Sequence, residues 1–80
     1  MSAGFTPEDG DIVIRPERRE DELVYLLRAV PRPEQYLLRS REEAVGQALR
    51  FAKREHVRAW LADEGQDVVL LEDFRVMKTI

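Results

Sequence analysis

The stretch "SREEAVGQALRFAKREH", residues 40–56, decides the fold because it predicts one amphipathic helix. Ser40 and Glu43 are spaced as the two halves of a capping box, which marks the start of a helix. At 100° per residue the apolar residues share one side of that helix, and the polar residues with Gly46 share the other. The apolar side consists of Ala44, Val45, Ala48, Leu49, Phe51 and Ala52. We therefore expect one buried helix face.

Three short strands are predicted before this helix, as an antiparallel meander over residues 11–39. The first is the β-branched run "DIVIRP" (11–16), which we expect to stop at Pro16, and "ERREDE" (17–22) then reads as a charged connector. "LVYLLRAV" (23–30) is the second strand and "QYLLRS" (35–40) the third. The prolines of "PRPE" (31–34) predict a turn between them.

Two further strands are predicted after the helix, in "VRAWLAD" (57–63) and "DVVLLEDF" (67–74). We expect Gly65 to supply a left-handed turn residue between them. The order β-β-β-α-β-β predicts the α+β class, with a single mainly antiparallel sheet and one helix packed on one face. Residues 1–10 read as a flexible N-terminal arm, 11–75 as one domain and 76–80 as a C-terminal tail.

From "DIVIRP" through "REEAVGQALRFAKREHVRAWL" the chain resembles a family of short bacterial proteins catalogued as a domain of unknown function. Those proteins have two or three strands, an "EA…A…A" helix and a strand near the end. This chain departs from them in a longer first connector, in lacking a glycine–tryptophan pair at the second strand, and in its final hairpin. The resemblance implies the fold and no site residue.

Composition narrows the classes of function. The 80 residues contain no cysteine and carry a net charge of −3, and no apolar run is long enough to cross a membrane. We expect a cytoplasmic protein without cofactor or metal. The acidic clusters "EDGD", "REDE" and "ADEGQD" read as solvated turns, and the single histidine, His56, as a helix-end residue. With Ser40 explained as a cap, no catalytic residue is predicted and we expect no enzyme.

The predicted sheet offers a candidate partner surface. Side chains alternate between faces along a strand, and the arginine-free sets are the natural choice for packing under the helix. The helix-free face then holds the predicted interface: Val24, Leu26, Arg28, Leu37, Arg39, Arg58 and Trp60. A large apolar patch of this kind favours a protein-interaction module that forms a homodimer through this face. The N-terminal arm, anchored by Phe5, could cover the face instead, or the strand parity could be reversed.

The alternative function is weak nucleic-acid binding. Arg50, Lys53 and Arg54 lie near the predicted helix end with Arg58 just beyond, and Arg28, Arg39, Arg58 and Trp60 could form a small stacking surface. The three or four cations fall short of the roughly 6–10 phosphate contacts that salt-resistant binding commonly uses. An unidentified protein partner, with this chain as its accessory subunit, is also compatible with the sequence.

Overall fold

The computed structural model describes residues 6–65 and 67–75, which form one five-stranded mixed sheet with one helix packed on it. The elements in chain order are β1 (Ile12–Arg19), β2 (Glu22–Ala29), β3 (Tyr36–Leu38), α1 (Arg41–Glu55), β4 (Arg58–Ala62) and β5 (Val68–Asp73). The strand order is β3-β2-β1-β4-β5. The predicted α+β class, the N-terminal meander and the final hairpin are confirmed. The predicted Phe5 anchor and the tail 76–80 lie outside the described residues.

Three of the four strand pairs are antiparallel, and β1 with β4 is parallel. The parallel pair is short and aligns Ile12–Ile14 with Ala59–Leu61. It places β1 at the centre of the sheet and leaves β3 and β5 as the two edges. The sequence prediction left this strand order open.

The prediction that Pro16 ends the first strand is wrong. β1 continues to Arg19, and its full length pairs with β2. Beyond Ile14, however, β1 no longer pairs with β4, so Pro16 has a strand on one side only. A proline, which lacks an N–H donor, is tolerated where a strand has one neighbour. The predicted connector 17–22 is therefore the tip of a hairpin, with Glu20 in the left-handed region at φ 50°.

The helix begins as predicted. The Glu43 backbone N–H donates to Ser40 Oγ at 3.0 Å, which satisfies one of the free donors of the first turn. The helix ends at Glu55, and the capping residue His56 has a left-handed backbone at φ 59°. Ala44, Ala48 and Ala52 are fully buried, and their small side chains let the helix approach the sheet closely.

The core lies between α1 and one face of the sheet. Ile12, Ile14, Leu27 and Ala59 are its buried sheet residues, and Tyr25, Ala29, Leu38 and Leu61 pack against them. These are the arginine-free alternating sets, so the predicted strand parity is confirmed.

The turn between β4 and β5 is organised differently from the prediction. Gly65 does not adopt the left-handed backbone; among the described residues, the glycine that does is Gly10, at φ 95°. Instead, Asp63 Oδ1 accepts hydrogen bonds from the backbone N–H groups of Gly65 at 2.9 Å and Asp67 at 3.0 Å. A side-chain carboxylate thus holds this turn, as aspartates often do.

Candidate functional site

The predicted interface on the helix-free face consists of some residues that are buried in the structure and others that are exposed. Val24, Leu26, Arg58 and Trp60 are buried, Trp60 to 1 % exposure. Arg28 is half-buried, whereas Leu37 and Arg39 are exposed. The face therefore has no exposed apolar patch centred on Trp60, and an exposed patch was the reason for predicting a dimer there.

A buried polar cluster occupies one end of this face. Asp11 is 2 % exposed and Arg58 is 4 % exposed, at adjacent starts of the parallel strands β1 and β4. Arg58 donates to Asp11 twice, from its backbone N to Oδ1 at 3.1 Å and from Nε to Oδ2 at 3.0 Å. Trp60 Nε1 donates to the same Oδ2 at 2.9 Å, and the Arg58 guanidinium lies 4.8 Å from the centre of the Trp60 ring.

The same cluster holds the N-terminal segment against β4. The Glu8 backbone N–H donates to Asp11 Oδ2 at 3.0 Å, and Arg58 Nη2 donates to the Thr6 carbonyl at 3.0 Å. The Glu8 carboxylate lies 3.6 Å from Arg58 Nη2, and Gly10 N–H donates to the Val30 carbonyl at 2.7 Å. Residues 6–10, predicted as part of a flexible arm, are thus bonded to the domain.

Asp11 is ionised in this setting. Burial by itself raises the pKa of the Asp11 carboxyl, but hydrogen bonds from Glu8, Trp60 and Arg58, with the Arg58 charge, lower it below its usual value. The prediction that "EDGD" is a solvated turn is wrong for Asp11, because this carboxylate accepts four hydrogen bonds inside the protein. No buried side-chain nitrogen or oxygen within residues 6–65 and 67–75 lacks a partner. The cluster is a complete structural anchor.

The predicted nucleic-acid contacts are separated by the fold. Arg50, Lys53 and Arg54 are exposed on α1, and the Arg54 guanidinium lies 5.2 Å from the Phe51 ring centre. Arg58 is instead buried against Asp11, so it cannot join them at a phosphate backbone. Trp60 is equally inaccessible to a base. Of the predicted contacts, three cations are left on a helix that also exposes Arg41 and three acids, Glu42, Glu43 and Glu55.

Exposed apolar side chains occur at the sheet edges. Among the described residues, the exposed large hydrophobic side chains are Tyr36 (58 %), Leu37 (40 %) and Val69 (57 %). Tyr36 and Leu37 belong to β3 and Val69 belongs to β5, the two edge strands. Sequence reasoning placed Leu37 in an interface, but it could not distinguish an edge strand from a central one.

A groove adjoins β3 beneath the C-terminal end of α1. It has a volume of about 630 Å³. Its floor is apolar and its rim is charged, with lining residues Gly10, Ile12, Leu27, Ala29, Arg32, Pro33, Glu34, Tyr36, Phe51, Arg54, Glu55 and Val57. The Tyr36 and Phe51 rings lie 5.8 Å apart between centroids, at an interplanar angle of 42°. Sequence reasoning missed this groove because its walls come from four separate segments.

The described part of the chain contains no group of three or more metal-binding side chains. No described helix is long and apolar enough to cross a membrane. His56 is exposed at the helix end, as predicted.

No family model matches this chain, and neither a curated protein nor a solved structure does so. The resemblance to short bacterial proteins accordingly stays a prediction.

Proposed function

We propose that the protein is a small, non-enzymatic interaction module that self-associates by pairing the β3 strands of two copies. The supporting observation is the position of Tyr36, Leu37 and Val69, the exposed large apolar side chains of the described residues, on edge strands. The predicted dimer is retained, but its surface moves from the helix-free face to the outer edge of Tyr36–Leu38, which we call the β3 edge. A cytoplasmic location is kept as part of this proposal.

The β3 edge is short, which limits pairing, but it lacks the other features that protect edge strands. An unpaired edge is a template for another strand unless charge, proline or a bulge blocks it. The three residues Tyr36, Leu37 and Leu38 include neither a charge nor a proline. By contrast, β5 carries Glu72 and Asp73, and a register shift at Ala59/Trp60 interrupts its pairing with β4. We therefore favour β3 over β5 as the interface.

Antiparallel pairing of two β3 strands is self-complementary. With a two-fold axis at Leu37, Leu37 meets its own copy on the helix-free face, and Tyr36 meets Leu38 of the second copy on the helix face. At the strand ends, Gln35 of one copy then faces Arg39 of the other. Glu34 follows Gln35 outward and lies beside that Arg39. Apolar residues meet apolar residues, and no like charges are opposed. A two-fold contact of this kind closes at two copies.

The size of the β3 edge sets the expected strength. Stable interfaces bury about 1,200–2,000 Å² in total. Three residues from each chain, with neighbouring side chains, cover less than that range. We therefore expect a reversible dimer whose population rises between micromolar and millimolar protein.

Sedimentation velocity over that concentration range tests the proposal. The wild-type protein should shift toward the dimer, and Leu37→Lys should stay monomeric because it places a charge at the centre of the contact. Val69→Lys is the matched control, since it adds the same charge to the other edge and should leave association unchanged. Circular dichroism shows whether both variants are folded.

Two results would contradict the proposal: a wild-type monomer at millimolar concentration, or equal loss of association in Leu37→Lys and Val69→Lys. Trp60→Glu does not test association, because Trp60 is buried and its replacement by a charge removes folding first.

A further inference from the structure

The groove beneath the C-terminal end of α1 has the size and lining of a small-molecule site. Its volume of about 630 Å³ falls within the roughly 300–1,000 Å³ common for such sites. Leu27, Phe51 and Val57 contribute apolar floor. The groove shares Tyr36 with the β3 edge but not Leu37, the centre of the proposed dimer contact.

The rim carries two pairs of opposite charges, one already in contact and one not. Arg54 and Glu55 lie close to each other, with Arg54 Nε 3.8 Å from Glu55 Oε2, and Arg54 also stacks on Phe51. Arg32 and Glu34, which flank Pro33, are exposed, and neither side chain forms an ion pair with any described residue. The rim thus offers one cation and one anion, two residues apart, above an apolar floor.

From this arrangement we infer that the groove binds a free α-amino acid with a large apolar side chain, such as phenylalanine or leucine. The side chain lies on the floor against Phe51 and Leu27, the ligand carboxylate pairs with Arg32, and its ammonium pairs with Glu34. Oppositely charged groups of ligand and rim then match one to one.

Other ligands match the rim less well. A peptide terminus carries only one of the two charges beside its terminal side chain, so it leaves either Arg32 or Glu34 without a counter-charge. A polyanion meets Glu34 and Glu55 as well as the arginines. A neutral apolar molecule uses the floor alone.

Titration of ¹⁵N-labelled protein followed by NMR tests this inference with four probes. Phenylalanine and leucine should shift the amide signals of groove residues such as Leu27, Ala29 and Val57. The two analogues are 3-phenylpropionate, which lacks the ammonium, and 2-phenylethylamine, which lacks the carboxylate. Each should bind about two- to five-fold more weakly than phenylalanine, the range for one exposed ion pair.

Two variants assign the charges. Arg32→Gln should weaken phenylalanine binding and remove its advantage over 2-phenylethylamine. Glu34→Gln should weaken it and remove its advantage over 3-phenylpropionate. Arg50→Gln and Glu42→Gln are the matched controls, because they make the same charge changes on the exposed side of α1 and should bind phenylalanine as the wild type does.

The inference is overturned if phenylalanine and leucine leave the groove signals unshifted. It is equally overturned if 3-phenylpropionate binds as tightly as phenylalanine, which indicates recognition of a carboxylate alone, or if the control variants lose as much affinity as the rim variants. Leu37→Lys, which breaks the proposed dimer, should bind phenylalanine normally, so the two proposals fail separately.

Discussion

Asp11 carries a buried charge that takes part in the fold. Its carboxylate accepts four hydrogen bonds, including two from Arg58 and one from the Trp60 indole. Removing one partner of a buried ion pair costs about 3–5 kcal/mol, because the other charge stays buried without compensation. Arg58 keeps its bond to the Thr6 carbonyl, which moderates that loss.

Asp11→Asn should therefore lower the free energy of unfolding by about 3 kcal/mol at neutral pH. Because the folded-state pKa of Asp11 is lowered, its charge stabilises the fold fully above the unfolded-chain pKa of about 3.9, and this contribution is lost as the pH falls through the folded value. The cost of Asp11→Asn should accordingly be smaller at acidic pH than at pH 7. Urea unfolding at both pH values measures the difference.

Asp9→Asn is the control for that experiment, since Asp9 is exposed two residues away. It should leave stability nearly unchanged at neutral pH. An Asp11→Asn cost that is the same at both pH values would show that the carboxylate charge contributes nothing.

Gly46 is the second residue whose replacement should change the stability of the protein measurably. A glycine at mid-helix can permit a close backbone approach, but a Cβ at Gly46 would meet nothing within 4 Å. Glycine costs about 1 kcal/mol relative to alanine inside a helix. Gly46→Ala should therefore stabilise the protein by about 1 kcal/mol and raise Tm by about 4–8 °C.

Gly10→Ala provides the opposite case, because Gly10 has a φ of 95°, where a Cβ is strained. Thermal unfolding should show Tm rising for Gly46→Ala and falling for Gly10→Ala. A lower Tm in Gly46→Ala would mean that the outer face of α1 is covered in solution.

At the scale of the elements, local patterns predicted most of the fold. The apolar positions of residues 44–52 identified the buried face of α1, and period-two alternation identified the strand residues beneath it. Both patterns repeat within one element, so one sequence is enough to read them. Pro16 misled the prediction because proline forbids only a partner on its N–H side, and whether that partner exists depends on β4, more than forty residues later.

The contacts that the sequence did not predict also depend on segments that are distant along the chain. Asp11 and Arg58 become neighbours only because β1 and β4 pair in parallel, and the strand order is set by packing between distant segments. For the same reason the sequence identified Leu37 and Trp60 as members of one face but could not show that one is exposed and the other buried. The groove, whose lining comes from strands, loop and helix together, carries no local pattern.

At the scale of the whole molecule, the proposed self-association makes the two sheet edges decide how large an assembly becomes. Pairing through the β3 edge alone closes at a dimer, whereas pairing through both edges builds an open chain of subunits. On β5, Val69 is an exposed apolar side chain. We attribute the exclusion of β5 from pairing to the acidic end of the strand, where Glu72 and Asp73 place charges on the edge that a second strand would have to cover.

Removing part of this charge should therefore extend the assembly. Glu72→Val takes one acidic side chain from β5, where Glu72 is exposed. We expect species larger than the dimer in sedimentation velocity at high protein concentration. They should disappear in the double variant with Leu37→Lys, which can pair only through β5 and stops at two copies.

Glu64→Val is the matched control, because it removes an exposed acid outside the strand. If Glu72→Val sediments as the wild type does, its carboxylate does not protect the edge, and the register shift at Ala59/Trp60 is the feature that keeps β5 unpaired.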